Sequence, residues 1–153
     1  MADASPAHEA IVRNAARLLG ERLDAAAHEV AVAEPGAAAE PDGPPDVLVL
    51  TRPVTLFTSV EPGEPVAAVE VSDAHTFARD RTRRFERWDR VATARHVLVV
   101  RADRAAAEHY ARRDDHWLLR RLGPGDTARL GGLGVDLPVS DLYEGTGLAD
   151  LAS

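Results

Sequence analysis

The residues best placed to do chemistry in this 153-residue chain are two acids and a group of arginines that interrupt apolar patterns. Glu70 lies within Pro65-Val66-Ala67-Ala68-Val69-Glu70-Val71-Ser72-Asp73. This β-branched run opened by a proline reads as a strand buried on both faces. An ionised carboxylate buried there without a partner costs several kcal/mol, so Glu70 calls for a cation, a metal or a proton. The plainer alternative is a strand-end glutamate leaning into solvent. Asp46 stands at the mouth of Val47-Leu48-Val49-Leu50, a second buried strand entered through Pro44-Pro45. The cations follow on a helix from about Phe77 to Ala92, where Phe77, Phe85, Trp88 and Ala92 form one stripe with Arg81 and Arg84 inside it. An arginine on an apolar stripe either snorkels to its edge or reaches a carboxylate or phosphate. Asp80, Arg84 and Trp88 share a face at i, i+4 and i+8, and Arg84 is expected to point toward the two acids. Arg79, Arg83, Arg87 and Arg90 are expected on the solvated outer face, partly neutralised by Asp80, Glu86 and Asp89.

The elements that must position these groups follow from hydrophobic period. Ile11, Ala15, Leu18, Leu19, Leu23 and Ala26 recur at helical spacing after Ser5-Pro6, which predicts a first helix over His8 to Ala27. Glu29 to Ala33 alternates like a strand, and Glu34 to Pro45 is a Pro-, Gly- and Ala-rich loop. Thr51 to Glu64 is a connector with weak strand character. His96 to Val100 is another buried strand, and after it the pattern turns antiparallel. Ala105 to Arg112, His116 to Leu122 and Thr127 to Leu130 read as a meander, with turns at Asp114-Asp115 and Gly123-Pro124-Gly125-Asp126. Gly131-Gly132-Leu133-Gly134 precedes Val135 to Pro138, and Val139 to Leu151 is a short helix or tail. These glycines do not follow a strand and open a helix, so they are no phosphate loop.

Composition narrows the classes. A chain 45% hydrophobic and 28% charged supports one domain with a real core, expected to span residues 1–153 with its core at about 8–140. With no cysteine, disulfides, thiolate metal sites and cysteine nucleophiles are excluded, and the reducing cytoplasm is the expected compartment. Neither an export signal nor a membrane span is indicated. The net charge of −7 is uneven. Residues 1–78 carry 4 Arg against 13 acids, 79–121 carry 13 Arg against 7, and 122–153 carry 1 Arg against 5. A positive segment inside an acidic protein permits a focused polyanion site and argues against tight nonspecific binding. All 18 basic residues are arginine, a bias of the whole chain that weakens inference from any one of them.

The order helix, three strands, helix, strand, with Pro45-Asp46-Val47-Leu48-Val49, then Ala68-Val69-Glu70-Val71-Ser72-Asp73, then Asp80, Arg84 and Trp88, resembles the Uma-type family. That family is a restriction endonuclease-like branch of the PD-(D/E)XK nuclease superfamily. The resemblance runs from about His8 through Val135-Asp136-Leu137. Arg84 stands where the family usually has lysine, Trp88 where it has tyrosine, and His8 where it has a histidine opening the first helix.

The resemblance implies an α/β restriction-endonuclease-like core in the order αβββαβ, a central mixed sheet flanked by helices, and a C-terminal antiparallel meander. It implies a metal-dependent DNA endonuclease in which Asp46 and Glu70 on neighbouring strands bind Mg²⁺ or Mn²⁺, joined by the Val71 carbonyl and waters. Arg84 is then the catalytic cation, with His8 and Asp80 as accessories, DNA as the partner and a homodimer among the expected assemblies. Arginine cannot act as a general base, because its pKa stays above about 12, so His8 and His75 are the side chains considered as extra proton acceptors. Two other readings stay open. One is a degenerate nuclease fold that binds nucleic acid or protein without cutting, and the other is a buried structural salt bridge of Glu70 with Arg81 or Arg84 in a protein of unrelated function.

Overall fold

The computed structural model describes residues 5–34, 43–56, 59–72 and 86–148. Helix α1 (Pro6–Arg22) starts where Ser5 Oγ accepts the His8 backbone N–H at 3.1 Å, with Pro6 in the first turn. It ends five residues before the expected Ala27. Asp24 Oδ1 accepts the Ala26 N–H at 3.0 Å, and the Asp24 carbonyl takes the N–H groups of Ala27 and His28. That local turn competes with further helical bonds.

The strands are β1 (His28–Val32), β2 (Val47–Thr51), β3 (Val54–Leu56), β4 (Ser59–Glu61), β5 (Pro65–Ser72), β6 (His96–Arg101), β7 (Ala107–Arg113), β8 (His116–Leu122), β9 (Thr127–Leu130) and β10 (Val135–Pro138), followed by helix α2 (Val139–Leu142). Six of them form one mixed sheet in the order β1-β2-β5-β6-β7-β8. Only the β5–β6 pair is parallel, and the chain between them carries a helical turn at residues 86–89. The αβββαβ core is therefore present, with one addition. The connector after β2 folds into the antiparallel hairpin β3–β4. It returns to β5 at Gly63, where a Cβ would come within 2.0 Å of the Thr51 carbonyl oxygen, so the close approach requires glycine.

The expected meander divides. Strands β7 and β8 extend the main sheet through a turn in which Asp114 takes φ 52°, whereas β9 pairs with β10 in a separate two-stranded sheet. On one face of the main sheet, α1 buries Ile11, Ala15, Leu18 and Leu19 against Val47, Val69, Val71, Leu98 and Val100, together with Leu137 and Leu142 from the C-terminal part. Burying each such aliphatic side chain is worth roughly 1.5–3 kcal/mol. Asn14 Nδ2 adds bonds of 2.9 Å to the carbonyls of Leu142 and Glu144, fastening α2 to α1. On the opposite face Trp88 packs with Ala68, Ala94, Val97, Val99 and Tyr110. Strand β5 is thus covered on both sides, as its unbroken apolar run demands. Among the described residues no helix is long and apolar enough to cross a membrane.

Candidate active site

Asp46 and Glu70 sit side by side at the β2–β5 pair. Val47 is the register partner of Val69, so Asp46, one residue earlier in an antiparallel ladder, comes opposite Glu70. Asp46 Oδ2 accepts the Val71 N–H at 2.8 Å, which lays its carboxylate at the end of β2, alongside β5. Its Oδ1 lies 3.0 Å from His8 Nε2 on α1. The carboxylate is an acceptor, so Nε2 is the donor in this pair and Nδ1 is the ring nitrogen left on the other side. His8 occupies the first turn of α1, where the Ser5 cap fixes the backbone, so the dyad is assembled by two helix-start residues and one strand-start residue.

Glu70 is 1% exposed, and its Oε1 accepts from Arg87 Nη2 at 2.9 Å. The buried acid thus has the cation it called for, but from an arginine expected in solvent. The expectation for Arg87 fails because the buried Trp88 sets the phase of the described turn. With Trp88 buried on the sheet, its neighbour Arg87 lies at the rim, and its long side chain reaches back over the helix edge to β5. Arg87 Nη1 donates to the Gly43 carbonyl, and its guanidinium carbon lies 5.4 Å from the Trp88 ring centre. The helix also stops short of Ala92, with helical geometry over 86–89 and turns after it. Arg112 from β7 explains the stop: its Nη2 donates to the carbonyls of Trp88, Asp89 and Val91 and its Nε to that of Ala94, closing the C-terminal end. Arg112 in turn stacks on Trp117, 4.3 Å from its ring centre, and Trp117 Nε1 donates to Asp89 Oδ1 at 2.9 Å.

Arg84 and Asp80, with Arg79, Arg81, Arg83 and His75, lie outside the described residues. Among the described residues no three or more His, Asp or Glu side chains group so as to hold a metal ion.

Three buried polar residues escaped the sequence reading. Glu108 lies in the same lateral row as Glu70, through Val99, and faces Arg121 across β7–β8, with Arg121 Nε 3.6 Å from Glu108 Oε2. His96 and His109 occupy the other face. His96 Nε2 donates to the Gly131 carbonyl at 2.7 Å, so its Nδ1 accepts from His109 Nε2 at 2.9 Å. Burial lowers the pKa of both rings, aided for His109 by His96, Arg120 and Arg113, which bring it to about 4. The test that singled out Glu70, a polar side chain against an apolar run, reaches His96 at the head of Val97-Leu98-Val99-Val100 but not Glu108 and His109, whose strand Ala107–Arg113 is itself largely polar in sequence.

No family model matches the chain, and no curated protein matches it. Among solved structures, the fold is similar to the crystal structure of a "putative nuclease belonging to DUF820" from Anabaena variabilis, with a TM-score of 0.66 at 10% sequence identity. The similarity covers 91% of this chain and 81% of that one. At this identity the likeness concerns the fold, a restriction-endonuclease-like mixed sheet with helices on its faces.

Proposed function

We propose that the chain, having a nuclease-like fold, is a metal-dependent DNA endonuclease of the PD-(D/E)XK type, with Asp46 and Glu70 as metal ligands. The observation that carries this is the seating of both acids around Val71 on adjacent strands, at the positions the resemblance assigns to the ligand pair. The donor set suits Mg²⁺, which keeps several waters and is commonly held by one or two carboxylates plus substrate phosphate. Asp46 Oδ1, Asp46 Oδ2 and Glu70 Oε1 each keep a second lone pair beyond the hydrogen bond they accept. When bound, the ion would supply Lewis-acid stabilisation of charge on the scissile phosphate.

The chain's own groups do the rest. Asp46, oriented by the Val71 N–H, keeps the His8 ring with Nδ1 available to take a proton from an attacking water. Arg84, in the place of the family's lysine, is assigned to phosphate neutralisation, with Asp80 as an accessory. The excess of arginine in residues 79–121 favours a polyanion as partner, and a homodimer would place two such sites on one duplex.

A second reading, a nuclease fold that binds without cutting, is favoured by the guanidinium already seated on Glu70. The two separate on supercoiled plasmid incubated with Mg²⁺, Mn²⁺ or EDTA. A cutting enzyme nicks or linearises the plasmid only with metal, and Glu70→Ala abolishes this. Intact plasmid under every condition, with retained DNA binding, selects the second reading, and metal-independent cutting rejects the ligand pair.

A further inference from the structure

The contact between Arg87 and Glu70 has a role that a surface ion pair would not have. Its guanidinium spans two acceptors far apart in sequence, Glu70 Oε1 on β5 and the Gly43 carbonyl on the segment that leads into Asp46. The planar fork of arginine provides parallel donors for both, which a lysine could not do at fixed geometry. The backbone of residue 87 is held from behind, since Trp88 is buried against Ala68, Val97, Val99 and Tyr110 and Arg112 closes the end of the turn. The head of the side chain is less confined. About a third of it is exposed, 33%, against 2% for the side chain of Glu70, so the guanidinium has a path into solvent that the carboxylate lacks.

We infer that Arg87 is the resident counter-ion of Glu70, a positioning residue that a divalent cation must share or displace when it binds between Asp46 and Glu70. This rests on the ligand pair proposed above. Without metal, Arg87 places positive charge 2.9 Å from a carboxylate that is costly to bury in its ionised form. When metal arrives, two cations compete for one carboxylate, so metal affinity is set below what the acids alone would give. The released fork, with its carboxylate taken, is then free to meet a phosphate at the same rim.

The test compares the parent with Arg87→Met, Arg87→Gln and Arg90→Met, titrating Mn²⁺ by calorimetry and following thermal unfolding in EDTA and in Mn²⁺. Arg90 is exposed and serves as the neighbouring control. Arg87→Met should bind Mn²⁺ about tenfold more tightly than the parent, from the loss of one nearby positive charge. It should melt lower in EDTA and recover in Mn²⁺ by more than the parent gains, while Arg90→Met follows the parent. Arg87→Gln keeps one donor without the charge, and its Mn²⁺ response decides the matter if Arg87→Met does not fold. Equal Mn²⁺ responses of parent and neutral variants, including no response in either, overturn the inference and leave Arg87 a structural ion pair. The nuclease reading fails separately. A parent that binds Mn²⁺ less tightly than its variants but leaves plasmid intact refutes that reading alone, whereas a cutting parent with unchanged variant affinities refutes the role of Arg87 alone.

Discussion

Acid should loosen this fold through the buried pair His96 and His109, and the size of the effect follows from their geometry. Each ring carries one proton in the chain His109 Nε2–H to His96 Nδ1 and His96 Nε2–H to Gly131. A proton added to His96 Nδ1 would face the His109 N–H head-on and break the link between β6 and β7 side chains. A proton added to His109 would place a charge on a ring that is 4% exposed, with Arg113 and Arg120 already adding positive potential. The fall of the His109 pKa from 6.5 to about 4 is caused first by burial and then by His96 and these arginines. The sign follows from proton counts. Between those two values the unfolded chain binds a proton that the folded chain refuses, so stability is complete above about pH 6.5 and falls as pH drops toward 4. At about 1.4 kcal/mol for each tenfold change in proton affinity, the His109 contribution is about 3 kcal/mol, and His96 acts in the same direction. Urea unfolding across this window, for the parent and for His109→Gln, isolates it. Glutamine still donates to His96 Nδ1 but does not titrate, so the parent should lose about 3 kcal/mol more than the variant between the two ends of the window. A difference between the two proteins that stays constant with pH refutes the argument.

Two further outcomes concern the supports of the site and of the C-terminal segment. Tyr143, 1% exposed, donates its hydroxyl toward the Arg101 and Ala106 carbonyls and accepts the Ala106 N–H at 3.2 Å, and burial pushes its pKa up to about 12. Tyr143→Phe should therefore cost about 1 kcal/mol by removing the hydroxyl's bonds to these backbone groups, and should abolish the part of the parent's stability loss that sets in between about pH 10 and 12, both read by denaturant unfolding. Arg112→Gln removes several of the donors that close the helical turn beside Trp88, so it should lower stability by about 1–3 kcal/mol and, by loosening the hold of residue 87 on Glu70, strengthen the Mn²⁺ dependence of melting, seen by differential scanning calorimetry with and without metal.

Much of the fold was legible in the chain itself because hydrophobic period is a local property. The runs at Val47, Val66 and Val97 could only be strands covered on both faces, the spacing from Ile11 to Leu19 could only be one face of a helix, and Asp46 and Glu70 stood out as acids in that frame. The order of these pieces carried the topology of the core as well, since three strands, a helix and a strand place the crossover before β6. Partnership is a different matter, because it depends on register and on how far a side chain can reach. Nothing in the sequence around Arg87 distinguished it from Arg83 or Arg90. The burial of Trp88, the cap from Arg112 on a distant strand and the nearness of Gly43 turn that one arginine toward Glu70. Likewise His96 and His109 become a pair only when β6 and β7 align His96 with Ala111 and Leu98 with His109, and β9 branches off to bring the Gly131 carbonyl to the first ring. Local pattern decides which residues are buried, and the tertiary fold decides what each buried polar group must answer to.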